Sequence, residues 1–146
     1  MADKALSFPI HTALINGQPV RFFEGQSATP DLPWHVLDDL YKSLGMSRRM
    51  RREFLHMTQE RWKGELRTVA TSDGLLTVAP HFMAQGAIAA MAERGHAPAN
   101  TYDQYVKAGI AALAVITGDR SKEDQFRYLM MAARNGTDQQ PGGGVP

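Results

Sequence analysis

The chain has 146 residues, no cysteine and a formal net charge of +1. That length suits one domain with a real hydrophobic core and leaves no room for a second full one. The missing cysteines exclude disulfides, thiolate zinc sites and cysteine nucleophiles, and the near-zero charge excludes strong whole-molecule attraction to polyanions. The first residues, "MADKALSFPIHTAL", lack a basic region followed by a long apolar stretch, and no later apolar run approaches the ~20 residues of a membrane helix. The expectation is a soluble, cytoplasmic chain with no membrane partner.

In "LSFPIHTALINGQPVRFFEGQ" two apolar stretches flank Asn16-Gly17, the dipeptide that best supplies the positive φ angles of a type I′ hairpin turn. Strands are expected near 10–15 and 19–23, with Pro19 at a strand start or a sheet edge. The segment 25–32 reads as loop. It leads into a helix over about 33–43, opened by Asp31 and Pro33, with Val36, Leu37, Leu40 and Leu44 along one side.

Gly45 ends that helix, and Ser47 caps a second over about 48–61, "RRMRREFLHMTQER". At ~100° per residue Met50, Phe54 and Met57 share a face, while Arg48 and Arg52 lie nearly opposite with Arg49 and Arg51 beside them. The arginines therefore point to solvent or to a partner. Eight basic and three acidic residues fall between Tyr41 and Thr68, a local surplus of +5 that leaves −4 for the remainder. The charge is asymmetric even though its total is small.

Around Ser72-Asp73-Gly74 a second hairpin is expected, centred on Asp-Gly. A third helix runs from about Pro80 to Arg94-Gly95. Its Phe82, Met83, Ala87, Ala89, Ala90 and Met91 are apolar and mostly small, so another helix could approach closely. The segment 102–116 reads as a buried helix, apolar on nearly all sides from Ala108 to Ile116, and 121–134 as an amphipathic one capped by Ser121. Such apolarity asks for burial against more than the chain's own sheet, which points to a homodimer. The segment 135–146, rich in Gly and Pro, is expected to be disordered. The fold class is α+β: an N-terminal hairpin, a helix–turn–helix-like pair, a second hairpin and C-terminal helices, in a single domain over 1–134.

Chemistry is sparse. His11, His35, His56, His81 and His96 are scattered without metal-ligand spacing, and Asp38-Asp39 diverge around a helix instead of forming a dyad, so they are expected to solvate its outer side. No Gly-x-Ser-x-Gly elbow occurs, and "PGGG" at 141–144 has neither a strand before it nor a helix after it. Neither an enzyme nor a cofactor or metal is expected. The Arg48, Arg49, Arg51, Arg52 cluster at the start of its helix suits phosphate oxygens or guanine edges, because guanidinium is a planar fork. Lys63 and Arg67 would support at phosphates. From the residues alone, nucleic-acid contact and a plainly solvated face both stay open.

The order of motifs resembles the Bro-N domain of phage antirepressors and related viral proteins. The hairpin "INGQPVRFF" precedes "PWHVLDDLYKSLGM", which matches at Trp34, Val36, Asp39, Leu44 and Gly45, and "TSDGLLTVAPHFMAQGAIAAMAERG" matches at Gly74-Leu75. The resemblance covers about 8–95, with 101–134 a helical extension. It implies a small DNA-binding domain of prophage or phage regulators. The expected function is DNA-binding transcription regulation of prophage or mobile-element type. The alternative is an antirepressor-like interaction module whose basic face binds an acidic protein partner.

Overall fold

The structure is a computed structural model that describes residues 5–26 and 31–138. It is α+β: an antiparallel five-stranded sheet with five helices. The strands are β1 (His11–Ile15), β2 (Gln18–Phe23), β3 (Trp34–Val36), β4 (Arg67–Thr71) and β5 (Gly74–Ala79), and the sheet order is β1-β2-β3-β5-β4. The helices are α1 (Leu37–Ser43), α2 (Arg48–Trp62), α3 (His81–Glu93), α4 (Thr101–Thr117) and α5 (Lys122–Asp138).

The first hairpin forms as its sequence dictates. Asn16 and Gly17 take φ of 52° and 79°, the left-handed pair of a type I′ turn, between the partners Ile15 and Gln18. Pro19 lies opposite Leu14, one step past the turn, where a two-residue hairpin directs the strand nitrogen away from its partner. Strand β3 reaches only Phe22 and Phe23, so the missing N–H of Pro19 breaks no ladder bond. In the second hairpin the turn falls one residue earlier than expected. Thr71 pairs with Gly74, so Ser72 and Asp73 form the loop and Gly74, at φ 102°, rejoins the strand. The Thr71 hydroxyl replaces central glycine chemistry, accepting from the Asp73 N–H at 3.1 Å and donating to the Gly74 carbonyl at 2.8 Å.

The largest departure from the sequence reading is at 34–36, expected as the first turn of a helix and found as β3 at the centre of the sheet. Trp34, His35 and Val36 pair with β2 on one side and β5 on the other, at Phe23↔Trp34, Phe22↔His35, His35↔Ala79 and Val36↔Val78. Two partner strands and a β-favouring tripeptide outweigh the local Asp-x-Pro start signal. Asp31 caps nothing. Its buried carboxylate accepts from the Leu32 N–H at 2.8 Å and from the Trp34 indole N–H at 2.9 Å. Helix α1 is consequently only seven residues long.

Strand alternation divides the core in two. One sheet face carries Ile15, Val20, Phe22 and Ala79 into the main core, with Leu37, Leu40, Tyr41 and Leu44 of α1, Ala84, Ile88 and Met91 of α3, and Tyr105, Ala108 and Ala112 of α4. The opposite face builds a smaller cluster of Phe23, Trp34, Val36, Val69 and Val78. Helix α5 continues to Asp138, into the segment expected to be disordered from 135, and the remainder of that segment lies outside the described residues. No described helix is long and apolar enough to cross a membrane.

Polar pins fix α4 to the sheet. The Asn16 N–H donates to Gln104 Oε1 at 2.8 Å, Gln104 Nε2 returns a bond to Asn16 Oδ1 at 2.8 Å, and Asn16 Nδ2 reaches Thr101 Oγ1 and the Ser43 carbonyl at 3.0 Å each. A single turn residue thus ties the first hairpin to α1 and α4. Deeper, fully buried His35 Nδ1 and the Tyr105 hydroxyl share a hydrogen bond at 2.8 Å.

Candidate functional site

The basic cluster stands on α2, and the local sequence fixes where that helix begins. Gly45, at φ 80°, lets the chain leave α1, and the Ser47 hydroxyl accepts from the Met50 N–H at 3.2 Å to cap α2. The helix then runs fifteen residues without one fully buried side chain. Met50, Phe54 and Leu55 lie half-buried against the core, and Tyr41 meets Phe54 edge-on at 5.9 Å and bonds the Thr58 hydroxyl at 2.8 Å.

Met57, expected on this inner face, is 56% exposed. Leu55, Thr58 and Arg51 turn inward instead, which rotates the buried stripe by most of one residue step. The cause is Arg51. Its Nε bonds Asp38 Oδ1 at 3.0 Å and its Nη1 the Met46 carbonyl at 3.0 Å, and it keeps only 19% side-chain exposure. Asp38 therefore positions an arginine as well as facing solvent. Its neighbour Asp39 is likewise occupied, gripping Arg21 through Nε–Oδ2 at 2.8 Å and Nη2–Oδ1 at 2.9 Å. That grip raises the Arg21 pKa further above its ordinary value.

Arg48, Arg51 and Arg52 converge with Asp38 and Leu55 on a shallow cleft of about 210 Å³. Arg48 and Arg52 make no ion pair or hydrogen bond among the described residues, and Arg49 is exposed in a loose pair with Glu53 at 3.3 Å. No acidic residue occupies the first turn. The cations there face the positive end of the helix dipole and each other, an arrangement that costs local stability and favours an approaching anion.

The other two expected contacts lie elsewhere. Lys63 sits at the far end of α2, about 22 Å along the axis from Arg48 at 1.5 Å per residue. Arg67, at the start of edge strand β4, turns its Nη1 to the carbonyls of Gly64 and Leu66 at 3.0 and 2.9 Å. The structure brings Arg48, Arg51 and Arg52 together, with Arg49 beside them, and does not bring Lys63 or Arg67 to the same place.

A second feature went unseen in the sequence. Between α2 and α3 opens a cleft of about 630 Å³, walled by Phe54, Met57 and Trp62 on one side and by Phe82, Met83 and small α3 residues on the other. Arg61 stands over the Trp62 ring at 5.7 Å and Arg94 over Phe54 at 5.6 Å. The small residues of α3 were legible, but not which helix would stand opposite them.

The histidines hold no metal geometry: among the described residues no group of three or more His, Asp or Glu side chains could ligate an ion. His35 is held neutral, its pKa lowered to about 3 by burial and by nearby His81, and burial lowers His81 as well. The Nε2 of His35 has no hydrogen-bond partner among the described residues. Compared with known protein families, curated proteins and solved structures, the chain matches none.

Proposed function

We propose that the chain binds DNA through the N-terminal turns of α2, with Arg48, Arg49 and Arg52 meeting phosphates or base edges and Arg51 held ready by Asp38. The observation that carries this reading is the concentration of four cations at a capped helix start whose first turn holds no acid, with Arg51 alone closely paired, to Asp38, Arg49 only loosely paired to Glu53, and Arg48 and Arg52 without an ion pair among the described residues. Local rules broken without a structural return are expected at functional sites. Lys63 and Arg67 lie too far along the surface to share one phosphate with this cluster, and would serve only a longer stretch of duplex. The order of hairpin, Trp34-to-Gly45 segment and Gly74-Leu75 that resembles Bro-N domains supports a cytoplasmic regulator of prophage or mobile-element type. Fluorescence anisotropy against duplex DNA over a salt series tests it. The Arg48→Glu/Arg52→Glu variant should bind at least tenfold more weakly and flatten the slope of log affinity against log salt by about two units. Absence of binding by the parent protein at low salt overturns the reading.

One observation favours a protein partner instead. From its second turn onward the outer side of α2 also carries Glu53 and Glu60, and the exposed Met57 adjoins the α2–α3 cleft. Mixed charge beside apolar surface suits a protein interface better than a phosphate backbone. A stoichiometric protein captured from nuclease-treated host extract, and lost with the same double variant, would establish that alternative.

A further inference from the structure

We infer that the α2–α3 cleft receives the outer face of helix α5 of a second copy of this chain, so that each of two copies docks its α5 in the other's cleft. Two independent features of the chain are unpartnered, and they fit one another. The first is concave. Exposed Met57 and half-buried Trp62 stand across the cleft from Gly86, Ala89 and Ala90. Gly86 sits mid-helix, where glycine is disfavoured relative to alanine because it loses more backbone freedom on folding. Its own chain does not require it there, because a Cβ at Gly86 would meet nothing within 4 Å and its φ is not positive. A bare backbone facing an open cleft is what close approach by another helix needs.

The second feature is convex. Phe126, Leu129 and Met130 are 65%, 39% and 56% exposed on α5. They recur at i, i+3 and i+4, the spacing by which a helix anchors in a groove. The inward side of the same helix is already supplied by Gln125, Tyr128 and buried Ala132, so this stripe is surplus to the chain's own core. The lengths agree: Phe54 to Trp62 and Phe82 to Ala90 each span about 12 Å, room for two helical turns. Charge does not oppose the fit: the cleft lining includes Arg61 and no carboxylate, and the first turns of α5 balance Glu123 and Asp124 against Lys122 and Arg127. Contact in both directions closes a two-fold dimer.

The inference is independent of DNA binding and is tested without DNA, by sedimentation equilibrium of the full chain from 1 to 100 µM at neutral pH. The parent protein should be dimeric at the upper end, and a monomer throughout overturns the proposal. Phe126→Glu removes the anchor and Gly86→Leu fills the cleft, and each should weaken self-association at least tenfold. Gly86→Leu should melt no lower than the parent. If it folds poorly, Met57→Glu, at an exposed position, blocks the cleft in its place. An equimolar mixture of the anchor and cleft variants should recover a heterodimer, because the first brings an intact cleft and the second an intact anchor. A cleft variant that dimerises like the parent, or a mixture that stays monomeric, shows that α5 pairs with α5 or with the exposed Ile110 and Val115 of α4, and overturns the proposal.

Discussion

Helices α4 and α2 belong to the same core and are held in opposite ways. Six side chains of α4 are fully buried, and its N-terminus is sewn to the first hairpin by Asn16, Thr101 and Gln104. Helix α2 buries none and leans on the core through one half-covered stripe. Stability is thereby concentrated at the sheet–α4 side, while the α2–α3 side keeps its charges and its cleft open to partners. Substitutions should divide along the same line. Phe22→Ala, at a fully buried ring that meets Tyr105 at 5.6 Å, should cost about 3–5 kcal/mol in denaturant unfolding. Met57→Ala should stay within about 0.5 kcal/mol. Equal costs would erase the distinction.

Acid sharpens the comparison, because the buried imidazoles lie on the α4 side. His35 titrates near 3 in the folded protein against an ordinary 6.5, so between those values the unfolded chain binds the extra proton. Stability from this group is complete above pH 6.5 and falls as pH drops, by roughly 1.4 kcal/mol per unit, until about pH 3. Lowered His81 acts in the same direction. Melting temperatures from pH 7 to 4 should fall accordingly, with the His35 NMR resonances unmoved in the folded state. A native His35 that protonates near pH 6.5 would show that burial does not govern it.

Asn16 offers a smaller and more local break. Asn16→Gly keeps the left-handed φ and loses the side-chain bonds to Thr101, Gln104 and the Ser43 carbonyl, at an expected cost of about 1–2 kcal/mol. Asn16→Ala should cost more, since alanine also resists φ of 52°. If the two variants melt together, the backbone contributes nothing and the bonds explain everything.

These positions also show what the sequence could express. Asn16-Gly17, Gly45 and Ser47 act through their immediate neighbours, so the first hairpin and the α1–α2 junction were readable. Trp34-His35-Val36 was misread because its partners, Phe22, Phe23, Val78 and Ala79, lie up to 44 residues away and no local pattern announces them. His35 meets Tyr105 across 70 positions, which is why it passed for an ordinary histidine. On α2 the arginines were plain, but the phase that half-buries Arg51 and exposes Met57 involves contacts with another helix, Arg51 with Asp38 and Thr58 with Tyr41. Spacing alone gave the helix its period and left its phase undetermined.

The smallest effect has the most informative sign. Reversing a charge in a structural ion pair destabilises, whereas Arg48 has no partner among the described residues and faces the positive end of α2. Arg48→Glu places an anion at the first helical position and relieves repulsion from Arg49, Arg51 and Arg52, so it should stabilise the fold by about 0.3–1 kcal/mol at low ionic strength. The gain should shrink with added salt as the charges are screened. Arg51→Ala should move the other way, because it frees Asp38 and leaves the part-buried Met46 carbonyl without its guanidinium donor. Opposite signs three residues apart on one helix would separate a charge kept for a partner from a charge kept for the fold. A loss of stability in Arg48→Glu matching that of Arg51→Ala would return both arginines to structural work and remove the argument for a polyanion at this end of α2.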